Sequence, residues 1–345
     1  NSALITALAD CCSQLRQKGV DLVLVSSGAI ANGMAQLGWH QRPHELHQLQ
    51  AAAAVGQMGL INAYQRAFEA HEIQTAQVLL TSADLNSRVR YLNARSALRS
   101  MLGLGIIPVI NENDTVATEE IKFGDNDSLG ALVGNLVEAD YLIILTDQEG
   151  LFQDDPRINP NTSLVREGRA GDPSLEKFAG GSGVLGRGGM QTKLQAAAKV
   201  ARSGASTVIC SGHDIQNLLK VYEGDVPGTL LHASSGRIAA RKQWLADRMQ
   251  SSGTLFLDAG AVEVLEGSGR SLLPVGVGKV TGSFLRGDLV DCVAIDSGRI
   301  VARGLVNYSA EESAKIAGRA SGDIEQILGF VDEPEIVHRD NMVVL

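Results

Sequence analysis

The chain has 345 residues, of which 44% are apolar, so it can bury a large core and is long enough for two domains. Its formal net charge of −9 and its pI near 5.3 argue against a protein that works mainly by contacting nucleic acid phosphates. No apolar window reaches membrane length, and the first residues lack the order of a signal peptide, so we expect a cytoplasmic protein without a membrane span. The cysteines lack metal-ligand spacing, which predicts reduced packing residues at Cys11, Cys12, Cys210 and Cys292.

The first hundred residues alternate helical and strand patterns. Apolar residues at helical spacing from Ala3 to Leu15 predict a helix, and residues 20–25 predict a strand. The turn Ser26-Ser27-Gly28-Ala29 then opens a helix, whose first N–H groups would suit a carboxylate or phosphate, although an ordinary N-cap explains the same residues. The next predicted elements are a helix over 50–71, a strand over 73–80, a helix capped by Thr81, a helix over 89–104 and a strand over 106–110.

The densest polar stretch follows that strand, in PVINENDTVATEEIKFGDNDSLG over residues 108–130. It combines the carboxylates of Glu112, Asp114, Glu119, Glu120, Asp125 and Asp127 with the amides of Asn111, Asn113 and Asn126. A helix is predicted over 128–137, so the cluster lies at the carboxyl end of a strand, where open α/β sheets bind ligands. A solvated acidic loop is the competing interpretation. The next strand, over 141–145, also ends in polar residues, Thr146-Asp147, before an irregular section over 150–173.

A glycine-rich loop, GGSGVLGRGGMQTK over residues 180–193, leads into a helix predicted over 190–202. Its backbone can approach phosphates closely, and Lys193 lies about one turn into the helix, although a solvated surface lysine is the alternative. The GxGxxG spacing here does not follow a strand, and no GK[ST] occurs, so neither a dinucleotide fingerprint nor a P-loop is indicated. A strand over 206–210, a helix ending near 221 and a strand over 229–232 complete the predicted first domain.

The composition changes at residues 237–252, which we interpret as a linker between a domain over 1–236 and a small β domain over 253–331, with a tail over 332–345. The later part has short β-type runs separated by glycine turns, with helical pieces only at 310–317 and 324–328. The predicted fold is an α/β sandwich of αβα type with a mainly parallel open sheet, followed by a small β-barrel.

These features together describe phosphoryl transfer to an amino acid. A helix start after Ser27 can take a carboxylate, Asp114 can take an ammonium, and the glycine loop with Lys193 can take nucleotide phosphates. A carboxylate acceptor is already ionised near neutral pH and needs no general base. Catalysis would then consist mainly of alignment and of charge neutralisation by lysines and Mg²⁺.

Seven segments, in this order and spacing, resemble the glutamate 5-kinases of the amino acid kinase family: VSSGAIANG, AAVGQ, LNAR, PVINENDTVAT, FGDNDSLGA, LTDQEGLF and GGMQTKLQAA. The stretch SLLPVGVGKVTGSFLRGDLV resembles the PUA domain that many of them carry. The resemblance implies ATP-dependent phosphorylation of the γ-carboxylate of L-glutamate, the first step of proline biosynthesis, with feedback inhibition by proline and assembly into dimers or tetramers.

The resemblance also implies residue roles. Ser27, Gly28, Asp114 and Asn126 would bind glutamate, Asp127 would orient the catalytic lysines, and Lys193 would stabilise the transferred phosphoryl group. The ATP site would comprise Thr146, Asp147, Arg187, Gly188, Gly189, Met190, Gln191, Thr192 and Lys193, with no dedicated metal ligands. Glu119 and Glu120 would lie where glutamate closure or proline sensing is plausible.

Two departures from the family pattern stand out. The family begins with a strand and a Lys-x-Gly-[Ser/Thr] turn, and neither is seen before Asn1. We therefore expect either that the given chain is truncated at its start or, if the lysine is truly missing, that its turnover is feeble. Arg187 replaces a threonine that usually precedes GGM, which adds a charge beside the nucleotide.

Three alternatives stay open at this point. One is another amino acid kinase, acting on aspartate or acetylglutamate. A second is an RNA-binding protein that uses the PUA-like domain, although residues 253–345 carry only eight Lys or Arg against fourteen Asp or Glu. The third is a catalytically inactive chain retained for assembly.

Overall fold

The computed structural model describes residues 2–116, 126–179, 189–233 and 251–345. The chain forms two compact units, the first comprising Asn1–Asn86 and Asn93–Arg237 and the second comprising Ser87–Leu92 and Ile238–Leu345. The linker over 237–252 lies largely outside the described residues, and the boundaries assigned to domains, linker and tail stay a prediction. Within the described residues, no helix combines the length and the apolar composition needed to cross a membrane.

The first unit alternates helices and strands, as predicted. The helices in this part of the chain are α1 Ser2–Gln17, α2 Ala29–Gln36, α3 Leu46–Glu69, α4 Ser82–Asn86, α5 Arg88–Gly103, α6 Asn126–Val137, α7 Pro173–Glu176, α8 Met190–Val200 and α9 Asn217–Glu223. The first residues of α5, up to Leu92, belong to the second unit, and the rest of α5 belongs to the first. Its strands are β1 Leu24–Val25, β2 Thr75–Leu80, β3 Ile107–Glu112, β4 Tyr141–Thr146, β5 Glu167–Arg169, β6 Ser206–Ser211 and β7 Thr229–His232.

These strands form a three-stranded sheet in the order β1-β3-β2 and a four-stranded sheet in the order β4-β6-β7-β5. β1 and β2 both run parallel to β3, and β4 runs parallel to β6. Only the pairing of β6 with β7 is antiparallel among the described strands of this unit. The predicted α/β class with a mainly parallel sheet is therefore confirmed.

The central strand β3 explains where the core of this unit lies. All six of its residues are buried, because it has a strand on each side and helices above it. Ile107 and Val109 pack with Tyr64 and Phe68 of α3 and with Cys12 of α1. α3 therefore lies directly over the sheet, and its inward face reaches the ends of β1 and β3.

The strands predicted over 20–25 and 106–110 differ most in extent from the observed ones. The strand predicted over 20–25 is observed only at Leu24–Val25, because these are the residues that pair with β3. The strand predicted over 106–110 instead continues through Asn111 and Glu112, which pair with Leu79 and Leu80 of β2. The extension carries two polar residues of the acidic stretch into the sheet itself.

Two glycines allow α2 and α3 to cross with their backbones in contact. A Cβ atom added at Gly33 would lie 1.7 Å from the carbonyl oxygen of Ala52, and one added at Gly56 would lie 1.8 Å from that of Ala29. Only glycine fits at such distances. The crossing holds the start of α2, and with it the Ser26–Ala29 turn, against the middle of α3.

The section predicted to be irregular, 150–173, contains the strand β5, which pairs in parallel with β7. An isolated bridge between Phe152 and Leu164 also closes the loop before it. The prediction missed β5 because Glu167-Gly168-Arg169 carries no apolar pattern, and its pairing depends on residues more than sixty positions later.

The second unit is a mixed sheet with helices packed against it. Its elements are β8 Gly253–Leu257, α10 Ala259–Ser268, β9 Val277–Gly282, β10 Leu289–Ala294, β11 Ile300–Leu305, α11 Ala310–Ile316, α12 Ile324–Leu328 and β12 Met342–Val344. The strand order is β12-β11-β10-β8-β9. The expectation that helices are confined to 310–317 and 324–328 was wrong, because Asp258 caps α10 by accepting a hydrogen bond from the N–H of Ala261. Residues 332–345, predicted as a tail, contribute β12 to this sheet.

Candidate active site

The first group of predicted site residues gathers at the carboxyl ends of β1 and β3. The two strands are adjacent, and the N–H of Ser26 donates to the carbonyl oxygen of Ile110 at 2.8 Å. Ser27 and Gly28 follow and are exposed, and Gly28 adopts a positive φ of 96° as the residue before α2. This φ is readily available to glycine, so the sequence SSGA can turn directly from a strand into a helix.

Asn126, the first residue of α6, bridges these two strand ends. Its side-chain amide Nδ2 donates to the carbonyl oxygen of Ser26 and, at 3.1 Å, to Oδ1 of Asn111. The Asn111 Oδ1 also accepts from the N–H of Glu112 at 2.9 Å. The predicted substrate residue Asn126 is therefore held in place by Ser26, a hundred residues earlier in the chain, and by Asn111, fifteen residues earlier.

Asp114 follows β3 at the same edge of the sheet. It is partly buried, and the segment that carries it is anchored by the N–H of Asn113, which donates to the carbonyl oxygen of Leu80 at 3.0 Å. Leu80 ends β2, so Asp114 lies beyond the carboxyl ends of β2 and β3. A carboxylate in this place suits a cationic group of a small ligand.

The second group joins the start of α6 to the start of α8. Lys193 Nζ forms an ion pair with Asp127 Oδ2 at 2.9 Å, and the side chains are only 10% and 14% exposed. The same carboxylate oxygen accepts from Thr192 Oγ1 at 2.8 Å. Such a pair, shielded from water, keeps an ammonium in one position next to the N-terminus of a helix, where phosphates bind well.

Contacts further along α6 and α8 fix the register of the two helices. The Asn135 side-chain amide donates to the carbonyl oxygen of Lys199 at 3.2 Å, and Lys199 Nζ donates to Ser128 Oγ at 3.0 Å. Gly134 faces Val200 so closely that an added Cβ would lie 2.9 Å from Val200 Cγ2. The distance between Asp127 and Lys193 therefore depends on the packing of whole helices as well as on one ion pair.

Thr146 and Asp147 occupy the end of β4, as the sequence indicates. Thr146 Oγ1 donates to Asp147 Oδ1 at 3.0 Å, and the N–H of Gly212 donates to the carbonyl oxygen of Thr146 at 2.7 Å. Asp147 is exposed. Both groups are therefore open to a ligand above the β4-β6 sheet edge.

Several predicted site residues fall partly or wholly outside the described part of the chain. Four of them lie outside the described residues: Arg187, Gly188, Glu119 and Glu120. Gly189 caps α8, and Met190 and Gln191 form its first turn, with Gln191 exposed. The assignment of Thr146, Asp147 and the run from Arg187 to Lys193 to an ATP site stays a sequence prediction.

The sequence patterns assigned no role to the residues of α2 and α3 that support the first group, at the ends of β1 and β3. Gln57 and Tyr64 of α3 contact Asn111 and Ser26, and Gly33 and Gly56 set the position of α3. AAVGQ contains two of these residues, but the pattern only indicates a helix. Burial raises the pKa of the Tyr64 hydroxyl, partly offset by its hydrogen bond to Ser26, so this group is a neutral structural partner near pH 7.

Two family models match this chain. The model of the amino acid kinase family matches residues 1–211, and the model of the PUA domain matches residues 253–328. The chain is similar to the glutamate 5-kinase of Ectopseudomonas mendocina (strain ymp), at 60% identity over 332 residues that cover 96% of this chain and 89% of the relative. It is similar to the glutamate 5-kinase of Thioalkalivibrio sulfidiphilus (strain HL-EbGR7), at 60% identity over 334 residues, with the same coverage.

A crystal structure of an isopentenyl phosphate kinase substrate complex is a more distant likeness. It has a TM-score of 0.46 and 15% sequence identity, and the match covers 67% of this chain and 91% of that one. At this level the likeness carries no inference about the substrate of this chain.

Proposed function

This chain belongs to the amino acid kinase family and carries a PUA domain, and on that premise we propose that it phosphorylates the γ-carboxylate of L-glutamate with ATP. The product is γ-glutamyl phosphate. The names of the relatives, at about 60% identity over 96% of the chain, support glutamate as the acceptor. The observation that carries the proposal is the start of α6, where adjacent residues serve the two halves of the reaction, Asn126 on the acceptor side and Asp127 on the phosphoryl side.

The acceptor needs no base. A γ-carboxylate has a pKa of about 4.3, so it is ionised near pH 7 and one of its oxygens can attack the γ-phosphorus directly. The new bond joins that oxygen to phosphorus, and the bond between phosphorus and the bridging oxygen of ADP breaks. The protein therefore contributes alignment and charge stabilisation.

Glutamate is held by three kinds of group in this proposal. The N–H groups at the start of α2, after Ser27 and Gly28, suit a carboxylate, and the Asp114 carboxylate suits the α-ammonium. Asn126 adds the amide that lies between them at the strand ends. The site thereby requires both an ammonium and a carboxylate, which selects amino acids over simple carboxylic acids.

Lys193 stabilises the phosphoryl group in transfer. Its ammonium is nearly buried and is positioned by Asp127, so it neutralises developing charge without first having to reorganise. Thr192 braces the same carboxylate. Thr146, Asp147 and the residues that begin α8 contact the nucleotide.

Kinases of this kind use ATP as a complex with Mg²⁺, and the metal ion neutralises part of the phosphate charge. No cluster of three or more Asp, Glu, His or Cys side chains suited to a metal occurs in the residues that the structure describes. Mg²⁺ usually binds through substrate phosphates and at most one or two carboxylates, so the residues present fit a metal that arrives with the nucleotide.

The pathway and its regulation are part of the same proposal. γ-Glutamyl phosphate formation opens proline biosynthesis, proline is the expected feedback inhibitor, and a cytoplasmic homo-oligomer is the expected form. The region of Glu119 and Glu120, proposed for proline sensing, lies outside the described residues.

The test is a substrate panel with hydroxylamine as a trap for the acyl phosphate. We expect hydroxamate formation with ATP and L-glutamate, and little or none with L-aspartate or N-acetyl-L-glutamate. Formation with one of those acceptors in place of glutamate would move the chain to another amino acid kinase activity. Retention of RNA on a filter at moderate salt, without glutamate-dependent ATP consumption, would support the RNA-binding alternative.

A further inference from the structure

The helix α3 contributes two polar side chains to the interior of the sheet edge. Gln57 Oε1 accepts a hydrogen bond from Asn111 Nδ2 at 2.8 Å, and the Tyr64 hydroxyl lies 3.1 Å from Ser26 Oγ. These residues are seven positions apart, which is two helical turns, so they project from one face of α3. Each therefore reaches one of the two residues that hold Asn126.

The orientations of the amides follow from groups whose role is unambiguous. The carbonyl oxygen of Ser26 only accepts, so the Asn126 atom that faces it is Nδ2. The N–H of Glu112 only donates, so the Asn111 atom that faces it is Oδ1, and Nδ2 of Asn111 then points to Gln57. Gln57 must present its oxygen there, and the relay Gln57–Asn111–Asn126 has one consistent direction.

The relay has a consequence for the ligand side of Asn126. A side-chain amide carries two N–H groups, and those of Asn126 go to Ser26 and Asn111. Its Oδ1, an acceptor only, is the atom left to face a bound ligand. If Gln57 no longer accepts from Asn111, the Asn111 amide keeps only the two bonds to its Oδ1, so Asn111 and the Asn126 amide that bonds to it are held less firmly.

We propose that Gln57 is a positioning residue for glutamate binding, acting through Asn111 on Asn126. This inference rests on the proposed function, because it assigns the effect to the glutamate side of that site. Gln57 follows Gly56 on α3, at the place where the backbone of α3 contacts that of α2. Asn111 is 2% exposed, so a missing partner at this place is costly.

The experiment compares Gln57→Leu, which removes the acceptor at similar size, with Gln57→Glu, which keeps an acceptor oxygen for the Asn111 amide. The matched control is Gln65→Leu, because Gln65 is on the same helix, is exposed and donates a hydrogen bond at 2.8 Å to Glu69, one turn further along that helix. Leu substitution at Gln57 is expected to raise KM for glutamate about tenfold while KM for ATP stays within about twofold. Gln57→Glu is expected to restore most of the affinity, and Gln65→Leu to behave as the parent chain.

A second measurement does not depend on turnover. In protein labelled with ¹⁵N-asparagine, hydrogen exchange of the Asn111 and Asn126 side-chain amides is expected to be slow in the parent, faster in Gln57→Leu and slow again in Gln57→Glu. Equal rises of KM for both substrates in Gln57→Leu, or unchanged amide exchange, would overturn the inference. A parent chain without glutamate-dependent activity would instead overturn the proposed function, and amide exchange alone would then decide whether Gln57 positions Asn126.

Discussion

Polar side chains at the candidate site of the first unit have a different kind of partner from those of Tyr308 and Asn307 in the second unit. At the candidate site, polar side chains bond to one another across separate elements, as in the Lys193–Asp127 pair and the Asn126–Asn111 pair. In the second unit, the Tyr308 hydroxyl bonds backbone groups of residues 332 and 333, and the Asn307 amide donates to the carbonyl oxygen of Glu335.

The difference shows which polar groups belong to a ligand site. Side chains that satisfy loop backbone stabilise a connection and leave little for a ligand, since their hydrogen bonds are complete within the fold. Charged and amide side chains that converge at the carboxyl ends of parallel strands hold each other in position and keep further donors or acceptors. On this basis we assign the proposed chemistry to the first unit.

The largest effect is expected at Lys193. Lys193→Met removes the ammonium to which we assign stabilisation of the transferred phosphoryl group, and it is expected to lower kcat about 10²- to 10³-fold. The matched control is Lys220→Met on α9, whose ammonium pairs with Asp214 Oδ2 at 3.1 Å and takes no part in the packing of α6 against α8 described above. A loss of less than about tenfold in Lys193→Met, or an equal loss in Lys220→Met, would remove Lys193 from its assigned role.

Asp114 tests the acceptor half of the site. Asp114→Ala is expected to raise KM for glutamate about tenfold to a hundredfold, because a charged hydrogen bond of about 1.5–3 kcal/mol is lost. KM for ATP is expected to change much less. Thr115→Ala, at an exposed neighbour, serves as the control. Equal losses for both substrates would contradict the assignment of Asp114 to glutamate.

The helix crossing tests how the first unit supports its site. Gly56→Ala would place a Cβ 1.8 Å from the carbonyl oxygen of Ala29, so α2 and α3 must separate. The expected cost is about 1–3 kcal/mol of unfolding free energy, measured in urea, together with weaker glutamate binding. Gly267→Ala in α10 is the matched control, because a Cβ there meets no atom within 4 Å and alanine favours a helix. Equal destabilisation by Gly56→Ala and Gly267→Ala would show that the close contact between α2 and α3 is not the cause of the lost stability.

The buried thiols predict a loss of stability at alkaline pH. Burial raises the pKa of Cys12 to about 12 and that of Cys210 to about 11, while an unfolded thiol titrates near pH 8.5. The folded chain keeps protons that the unfolded chain loses, so the stabilising contribution is complete below about pH 8.5 and decreases as pH rises toward 11–12. We expect a slope of up to about 1.4 kcal/mol per pH unit for each thiol above pH 9, reduced in Cys12→Ala. An unchanged slope in that variant would show that Cys12 does not contribute.

The smallest effect on catalysis is expected from Tyr308→Phe. The hydroxyl accepts from the N–H groups of Asp332 at 3.2 Å and of Glu333 at 3.1 Å, so its removal should cost about 1 kcal/mol of unfolding free energy. KM for glutamate should stay at the parent value because the second unit serves no substrate in this account. A raised KM in Tyr308→Phe, without unfolding, would contradict the division of roles between the units.

Most helices and strands were predictable because apolar residues repeat at the helical or strand period. The start of α2 at SSGA and the cap of α4 by Thr81, whose hydroxyl accepts from the Asp84 N–H at 3.2 Å, follow from local chemistry. β5 was missed because Glu167-Gly168-Arg169 carries no apolar pattern and forms a strand only by pairing with β7, which lies far along the chain. α10 was missed although Asp258 and Gly269 mark its two ends.

The candidate site was predictable by residue type but not by partner. Asn126, Asp127 and Lys193 stand out in the sequence, yet the bond from Asn126 to Ser26 joins residues a hundred positions apart. Such contacts depend on strand order and helix packing, which local patterns do not contain. Gln57 shows the limit most clearly, because its role depends on Asn111, a partner 54 positions later.

The central claim is that phosphorus is transferred to an oxygen of the glutamate γ-carboxylate. It is tested most directly with L-glutamate carrying ¹⁸O in that carboxylate, incubated with ATP, Mg²⁺ and hydroxylamine, followed by ³¹P NMR of the released phosphate. Hydroxylamine attacks the acyl carbon, so the phosphate retains the oxygen that formed the new bond, and we expect one ¹⁸O in each phosphate released with glutamate. Phosphate without ¹⁸O would show that water, and not the carboxylate, accepts the phosphoryl group, and would contradict the account.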